Sequence, residues 1–572
     1  MRSLLRFGVM CEGTTFRAWQ AQCLGHLLEV PGVELVLLIV DAEGQGANSL
    51  GGQLRRFTEP CLFWRLYGRL RRRLPWHATL VDMADRLSSV PVLRCRVRRE
   101  GKFSQYFSEE DCEAIREYDL DFVLRFGFNI IRGEILEVPR YGVWSYHHDD
   151  LDKYRGAPPC FWEVYHGDPV TGVVLQRLTE RLDGGVVLKR GWFPSCLTSY
   201  SRNCEQAFRG STEWPAEVCR DILAGRADYL EAAPAKTAAR IFYPPSTLQT
   251  LTLAWRTALR SVKSSWDSAL NDMWDVGLVP HPIHEFLKRQ TPADVRWLGA
   301  SDNHRYYADP FGLPSREGMG LLVEEFDHLD GTGRICAVST HDGASLSRPT
   351  TAISLPVHMS YPYLFEYEGS VYCVPETRFA RQVFLYRAEE FPTKWARVGV
   401  LLDDFPAVDP TVFVHENRWW LLCTNGDTGP NTKLYAWYAS SPCGPWTPHA
   451  GNPIKTDVRS SRPAGTPFVH EGVLYRPSQD CSLGYGCAVV INRVDCLSPS
   501  AFSEEVVNVV RPDPNGPYPD GLHTLSAVGG QTLIDGKRWV FSARFFAKRI
   551  ASRLRMRGSA IAGSRSTPPG TA

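Results

Sequence analysis

Along the first 230 residues, short uninterrupted apolar runs alternate with segments whose apolar positions recur every three or four residues. Residues 5–10 and 33–40 read as strands covered on both faces, with a helical pattern over 16–28 between them. Residues 122–126 and 142–146 repeat the buried-strand pattern. Strands alternating with helices predict a mostly parallel, doubly wound α/β domain over 1–230. Ligands in such sheets lie beyond the carboxyl ends of the strands, where the turn at 126–129 and His147 fall.

Residues 231–270 are rich in Ala, Thr, Arg and Leu and predict a helical connector. Beyond them the pattern changes to short strands, paired aromatics and frequent Gly or Pro. Asp309-Pro310, Tyr361-Pro362, Asp409-Pro410 and Arg462-Pro463 open similar units, with the prolines 52, 48 and 53 residues apart. Three of these units continue into a tight turn and an aromatic strand, at Glu368-Gly369, Glu416-Asn417 and Glu471-Gly472. A period near 50 with several strands per unit predicts an all-β five-bladed propeller over 271–550. His523 marks the fifth unit, whose opening lacks the proline. Innermost strands line the axis of a propeller, so Asp309, Tyr361, Asp409, Arg462 and His523 should converge, with Glu376 and Asp480 reaching the mouth. The basic, Ser-, Gly- and Pro-rich stretch 551–572 predicts a disordered tail.

Composition narrows the function. With 64 basic and 63 acidic residues the net charge is +1, which gives no global field for nucleic acid. The 16 cysteines lack metal-ligand spacing, so no metal is predicted. The opening apolar run is too short for a signal peptide, and no stretch is long enough to span a membrane. A cytoplasmic protein with free thiols is the expectation. Nothing in the residues sets an oligomeric state.

The densest chemistry lies in 142–188. Ser145, His147, Arg155-Gly156, Thr171-Gly172 and Asp183 (in Leu-Asp-Gly-Gly) follow one another there. In order and spacing they resemble the core of the folate-dependent formyltransferases, with Ser145 standing where that family has Asn. The resemblance implies 10-formyltetrahydrofolate as donor. It implies that His147 stabilises the oxyanion of the tetrahedral intermediate and that Asp183 polarises His147 or relays a proton. Ser145, or Asn129 from the neighbouring loop, would substitute for the Asn. Phe126, Gly127, Phe128 and Ile130 would meet the pterin through backbone groups. The family's apolar loop after the histidine is replaced by His148-Asp149-Asp150-Leu151-Asp152, whose three acids suit a hydroxylated or cationic amino-sugar acceptor. No domain of the kind that binds initiator tRNA follows, which argues against a tRNA acceptor.

The second half resembles five-bladed glycoside hydrolases of the arabinanase and xylosidase type. It is also similar to the N-terminal region of plant glucosamine inositolphosphorylceramide transferases. Residues 307–311, 360–363, 444–446 and 462–465 carry that likeness. For a hydrolase, Asp309 would be the base and Glu376 the acid, with Asp409 or Arg462 tuning the pKa. The chain order of these acids departs from the hydrolase pattern. The preferred function is N-formylation of an amino sugar or sugar-bearing precursor, with a glycan-binding propeller. The alternatives are a glycosidase or glycosyltransferase-associated enzyme acting through the propeller, and a non-catalytic carbohydrate-binding scaffold.

Overall fold

The computed structural model describes residues 4–42, 64, 75–101, 103–267, 269–302, 304–315, 318–340 and 347–541. The predicted tail at 551–572 lies outside the described residues.

Seven strands form the first sheet. The parallel strand Leu5–Cys11 sits between Val33–Asp41 and Phe122–Arg125. The chain first steps outward to Val33–Asp41 and Val92–Cys95, then returns to the other side at Phe122–Arg125 and Val143–His147. That reversal is the topological switch point, beside which α/β sheets open a ligand crevice. The antiparallel strands Val170–Arg177 and Val186–Pro194 complete the edge. Successive strand residues point to opposite faces, so both faces need apolar cover. Val9, Leu38 and Leu124 join Trp19, Leu24 and Leu27 on one side, while Met10, Ile39 and Val123 join Ile115 on the other. The first helix runs Ala18–Leu28 and starts later than its apolar spacing suggests, because Thr15–Arg17 pairs with Leu80–Asp82.

Only the second half of the 231–270 connector is helical. Ile241–Phe242 pairs with Arg155–Gly156, an approach so close that any side chain at Gly156 would collide with the Phe242 carbonyl. A 21-residue helix follows at Thr247–Asp267 and rests on the first domain.

Four antiparallel sheets then succeed one another, opening with Arg305–Ser315, Ser360–Tyr367, Ala407–His415 and Phe468–His470. The fifth sheet is composite. Its outer pair, Leu270–Val279 and Arg296–Trp297, comes from the start of the domain, and Leu525–Val528 and Gln531–Phe541 come from the end. Inter-sheet hydrogen bonds run round the ring, ending where Leu525 N–H donates to the Ala464 carbonyl and Thr524 Oγ1 to Asp309.

Three of the four X-Pro openings are β-bulges. Residues 309–310, 361–362 and 409–410 drop out of register with the adjacent strand, and Asp309, Tyr361 and Asp409 take left-handed φ values of 50°, 44° and 52°. A bulge re-aims the side chain that carries it, which is how one dipeptide repeated at this period delivers three polar groups to one place. The reversals between first and second strands also use left-handed pairs, Glu368-Gly369, Glu416-Asn417 and Glu471-Gly472.

The domains share an edge. Val458 N–H donates to the Trp192 carbonyl, Arg459 lies 4.5 Å over the Trp192 ring, and Lys433 pairs with Glu213 at 3.2 Å.

Ring closure rests on strand Leu270–Val279, whose buried Trp274 stacks on His523 at 4.0 Å. Trp274→Ala should cost the propeller about 3–5 kcal/mol, as large-to-small core changes do. The check is the midpoint of the propeller's transition in urea, and a loss below ~1 kcal/mol would show that this strand does not hold the ring shut.

Candidate active site

Val143–His147 alternates its side chains, so Ser145 and His147 share one face at the strand's carboxyl end. Both line a cleft of about 530 Å³, together with Arg125, Ile130, Gln176, Leu178 and Asp183. The cleft's outer lip is Ile241, Phe242, Tyr243 and Pro244. A second cleft of about 460 Å³, lined by Arg17, Trp19, His77, Phe126, Phe128 and Phe208, meets the first at Arg125, Ser145, Tyr146 and His148.

The predicted pair comes together. His147 Nδ1 lies 3.7 Å from Asp183 Oδ1, and Asp183 Oδ2 lies 3.3 Å from Arg155 Nε. Asp183 is held in a left-handed turn (φ 54°), and Arg155 fastens that turn by donating to the Leu182 carbonyl at 2.8 Å. The other imidazole nitrogen, Nε2, is 3.1 Å from the Tyr154 carbonyl. A carbonyl only accepts, so Nε2 carries the proton, and in the neutral ring Nδ1 is a lone pair facing the carboxylate. Burial lowers the His147 pKa from its ordinary value, against the opposing pull of Asp183. His147 is thus set up as a proton acceptor whose charged form Asp183 would stabilise.

Arg125 is the group that sequence reasoning missed. Nε and Nη2 of its guanidinium donate to Ser145 Oγ at 3.1 and 2.9 Å, and Nη1 donates to the carbonyls of Phe128 and Asn129 at 3.3 and 2.6 Å. All three acceptors are neutral. Burial brings its pKa down to about 10, with Asp183 the opposing charge, so it remains a cation at neutral pH. A strand-end arginine reads as a solvent charge in sequence; only the fold places it between two clefts.

Three expectations change in the structure. Asn129 is exposed and contributes backbone only, its N–H donating to Gln105 and its carbonyl accepting from Arg125. The amides of Phe126 and Gly127 both donate to the Met10 carbonyl and that of Ile130 to Phe103, so those amides are spent inside the protein. Ile130 does line the large cleft, while Phe126 and Phe128 line the second one and Gly127 packs on the Cys11 backbone. The acidic loop is also committed. Asp149 is buried, accepts from Cys160 N–H at 2.8 Å, and faces buried Glu163, whose pKa burial pushes up to about 8. Asp150 caps Asp152 N–H, and Asp152 pairs with Arg190 at 3.2 Å. His148 stacks on Phe208 at 3.8 Å, and burial holds it neutral.

The propeller residues converge too. Asp309 accepts from Tyr361 N–H (3.1 Å) and Thr524 Oγ1 (3.0 Å), and lies 3.5 Å from His523 Nε2. The Tyr361 hydroxyl accepts from Gly465 N–H at 2.7 Å. Asp409 is gripped by Arg462 at 2.5 and 3.2 Å and by Gln479 at 2.8 Å. Glu376 accepts from Asp409 N–H at 3.2 Å. Burial raises Asp309 to about 6 and Glu376 to about 8, in the second case with help from Asp409. Asp480 differs: it is half-buried and caps Ser482 N–H in a local turn. Sequence reasoning did not single out Asp535, whose carboxylate lies 2.5 Å from His523 Nδ1 and accepts from the backbone N–H groups of His523, Thr524 and Asp309. Asp309, His523 and Asp535 offer three ligand atoms within 4.8 Å of one another, and His523 and Asp535 there stand at ion-pair distance. Asp309, Tyr361, Glu376, Asp409, Arg462 and His523 are all at most 9% exposed, so the axis is filled by its own side chains.

Comparison with known proteins divides the chain at the same place. Residues 84–201 match the formyl transferase domain, and residues 291–516 match the N-terminal region of glucosamine inositolphosphorylceramide transferase 1. Over 210 residues the chain is 35% identical to glucosamine inositolphosphorylceramide transferase 1 from Oryza sativa subsp. japonica, covering 36% of this chain and 28% of that protein. Over 83 residues it is 41% identical to methionyl-tRNA formyltransferase from Prochlorococcus marinus, covering 14% of this chain and 24% of that protein. A family 117 glycoside hydrolase from Zobellia galactanivorans aligns with 12% identity and a TM-score of 0.31, over 48% of this chain and 92% of that one. The chain therefore spans about a quarter of the length of the curated relatives it matches. It joins a segment similar to the formyl transferase domain to a segment similar to the N-terminal region of glucosamine inositolphosphorylceramide transferase 1.

Proposed function

We propose that the protein transfers a formyl group from 10-formyltetrahydrofolate to the amine of an amino sugar or of a sugar-bearing lipid precursor. The observation that carries this reading is that the His147–Asp183 pair and the Arg125 guanidinium line one cleft of about 530 Å³. That volume and its largely apolar wall suit a bicyclic ring system with a few fixed polar contacts. The sugar half of the proposal rests on the relatives named for glucosamine and inositolphosphorylceramide.

The amine nitrogen attacks the formyl carbon, a C–N bond forms, and the carbonyl electron pair moves to oxygen. Arg125 supplies hydrogen bonds and positive charge to that oxygen, the part played in related enzymes by the missing Asn. His147 Nδ1 takes the proton released by the amine nitrogen, and Asp183 steadies the resulting imidazolium. Collapse breaks the bond to the folate nitrogen, which leaves with a proton. The propeller binds the glycan part of the acceptor apart from that cleft, whose lining comes from residues 103–244; burial of Asp309 and Glu376 at the propeller axis disfavours cleavage there. A reducing, cytoplasmic setting accords with the free thiols of the fifteen cysteines among the described residues.

The test is mass spectrometry of an amino-sugar panel, glucosamine included, incubated with formyl donor. Wild type should add one formyl group. His147→Ala and Arg125→Met should each lower kcat by about 10²–10³-fold while circular dichroism melting stays close to wild type. Absence of formyl product on every amine, or product formation indifferent to His147→Ala, rejects the proposal.

A second prediction concerns pH. With His147 as acceptor its neutral form is active, so kcat/KM should rise with pH through a midpoint below the ordinary imidazole value of about 6.5, in the direction burial sets. A rate that instead falls as pH climbs through this range would make the imidazolium the working form and Nδ1 the oxyanion donor.

A further inference from the structure

The helix Thr247–Asp267 keeps only Thr250 and Leu253 buried. Arg256 and Arg260 fix it to the first domain by donating to the carbonyls of Tyr165 and Val164 at 2.6 and 2.7 Å. Its opposite face is apolar and open. Leu248, Leu251, Trp255, Leu259, Val262 and Trp266 are each between 49% and 74% exposed. Isolated exposed apolar residues are ordinary, but six in one line are not.

The spacing says what kind of surface covers them. The five steps from Leu248 to Trp266 span 18 residues, or 3.6 per step, which is the period of a straight α-helix. Such a stripe runs parallel to the axis for about 27 Å. A supercoiled partner helix would require 3.5, and the stripe would drift off that seam. A straight stripe matches a flat apolar boundary. Tryptophan, with an apolar body and a polar N–H, favours the level where acyl chains meet headgroups. The charge fits as well. No acid occurs from Thr247 to Trp266, and the helix's cations are Arg256, Arg260 and Lys263. The two arginines are turned to carbonyls of the first domain, while Lys263 is exposed and available to anionic headgroups.

The apolar surface continues into the site. Exposed Ile241 and Tyr243 form the cleft's lip, and only three residues separate Pro244 from Leu248. No helix among the described residues is long and apolar enough to cross a membrane. We propose that the Thr247–Asp267 helix lies flat on an anionic lipid bilayer and holds the mouth of the formyl transferase cleft at headgroup level. This docking is independent of what the cleft transfers.

Flotation of the full-length protein with vesicles tests it. Wild type should rise with phosphatidylcholine vesicles containing 30% phosphatidylglycerol, and much less with phosphatidylcholine alone. The double variant Trp255→Glu, Trp266→Glu changes only exposed positions, so its melting curve should match wild type while vesicle-bound protein drops at least tenfold. Lys263→Glu should weaken binding to the anionic vesicles alone. Absence of wild-type flotation, or equal flotation of the double variant, overturns the proposal. So does a wild-type dimer in analytical ultracentrifugation that the double variant abolishes while vesicles bind neither protein, an outcome that would assign the face to a second copy.

Discussion

The pairing of Leu270–Val279 with Gln531–Phe541 is the constraint on which the second domain depends. Ten residue pairs in antiparallel register join the two ends of a chain segment about 270 residues long. Closing so long a segment carries an entropic cost that grows only slowly with length, and one continuous ladder can offset it. Once closed, the ring leaves no free edge between first and last blades, and its bulged residues face one another rather than solvent. The polar network at the axis follows. Asp309 can receive Thr524 and His523 only because the composite fifth sheet delivers them from the far end of the chain. The same strand begins just after the helix at Thr247–Asp267, so ring closure also fixes where that helix leaves the first domain.

What could be read from the sequence, and what could not, divides along physical lines. Local rules that act within a few residues were legible. The Asp-Pro and Tyr-Pro openings announced a repeat because a bulge needs its own local chemistry, and that chemistry recurs. His147 and Asp183 were legible as members of an ordered motif, and they do meet. The composite blade was not, because nothing near Leu270 signals a partner at Phe541. Arg125 was not, because whether a cation at a strand's end faces water or a cleft depends on the neighbouring strand and the Ser145 hydroxyl. The amides of 126, 127 and 130 looked free in sequence because their acceptors, Met10 and Phe103, lie on other segments. The acids of the 149–152 loop likewise read as a charged rim; Asp149 instead turns inward against Glu163, and Asp152 finds Arg190.

The two domains treat an arginine drawn in from solvent in opposite ways, and the contrast separates chemistry from architecture. Arg462 has two bonds to Asp409, one to Asn431, and the Tyr485 ring at 4.6 Å. Its charge is matched and its donors are committed, which is how an ion pair holds a fold together. Arg125 has a hydroxyl and two carbonyls, and among the described residues no carboxylate lies within ion-pair distance. A charge partly withdrawn from water and held by neutral acceptors is less well solvated than in bulk. Lowering the pKa to about 10 does not remove that loss at neutral pH, since the guanidinium keeps its proton. The fold thus bears an unfavourable electrostatic term at the junction of its two clefts, and a negative oxygen there would relieve it. Neutral substrate oxygens relieve it less than a developing oxyanion does, so the interaction strengthens along the reaction. Differential stabilisation of this kind is what accelerates a chemical step. At the propeller axis the charges of Asp409 and Arg462, and of His523 and Asp535, lie in pairs, beside the buried carboxyls of Asp309 and Glu376.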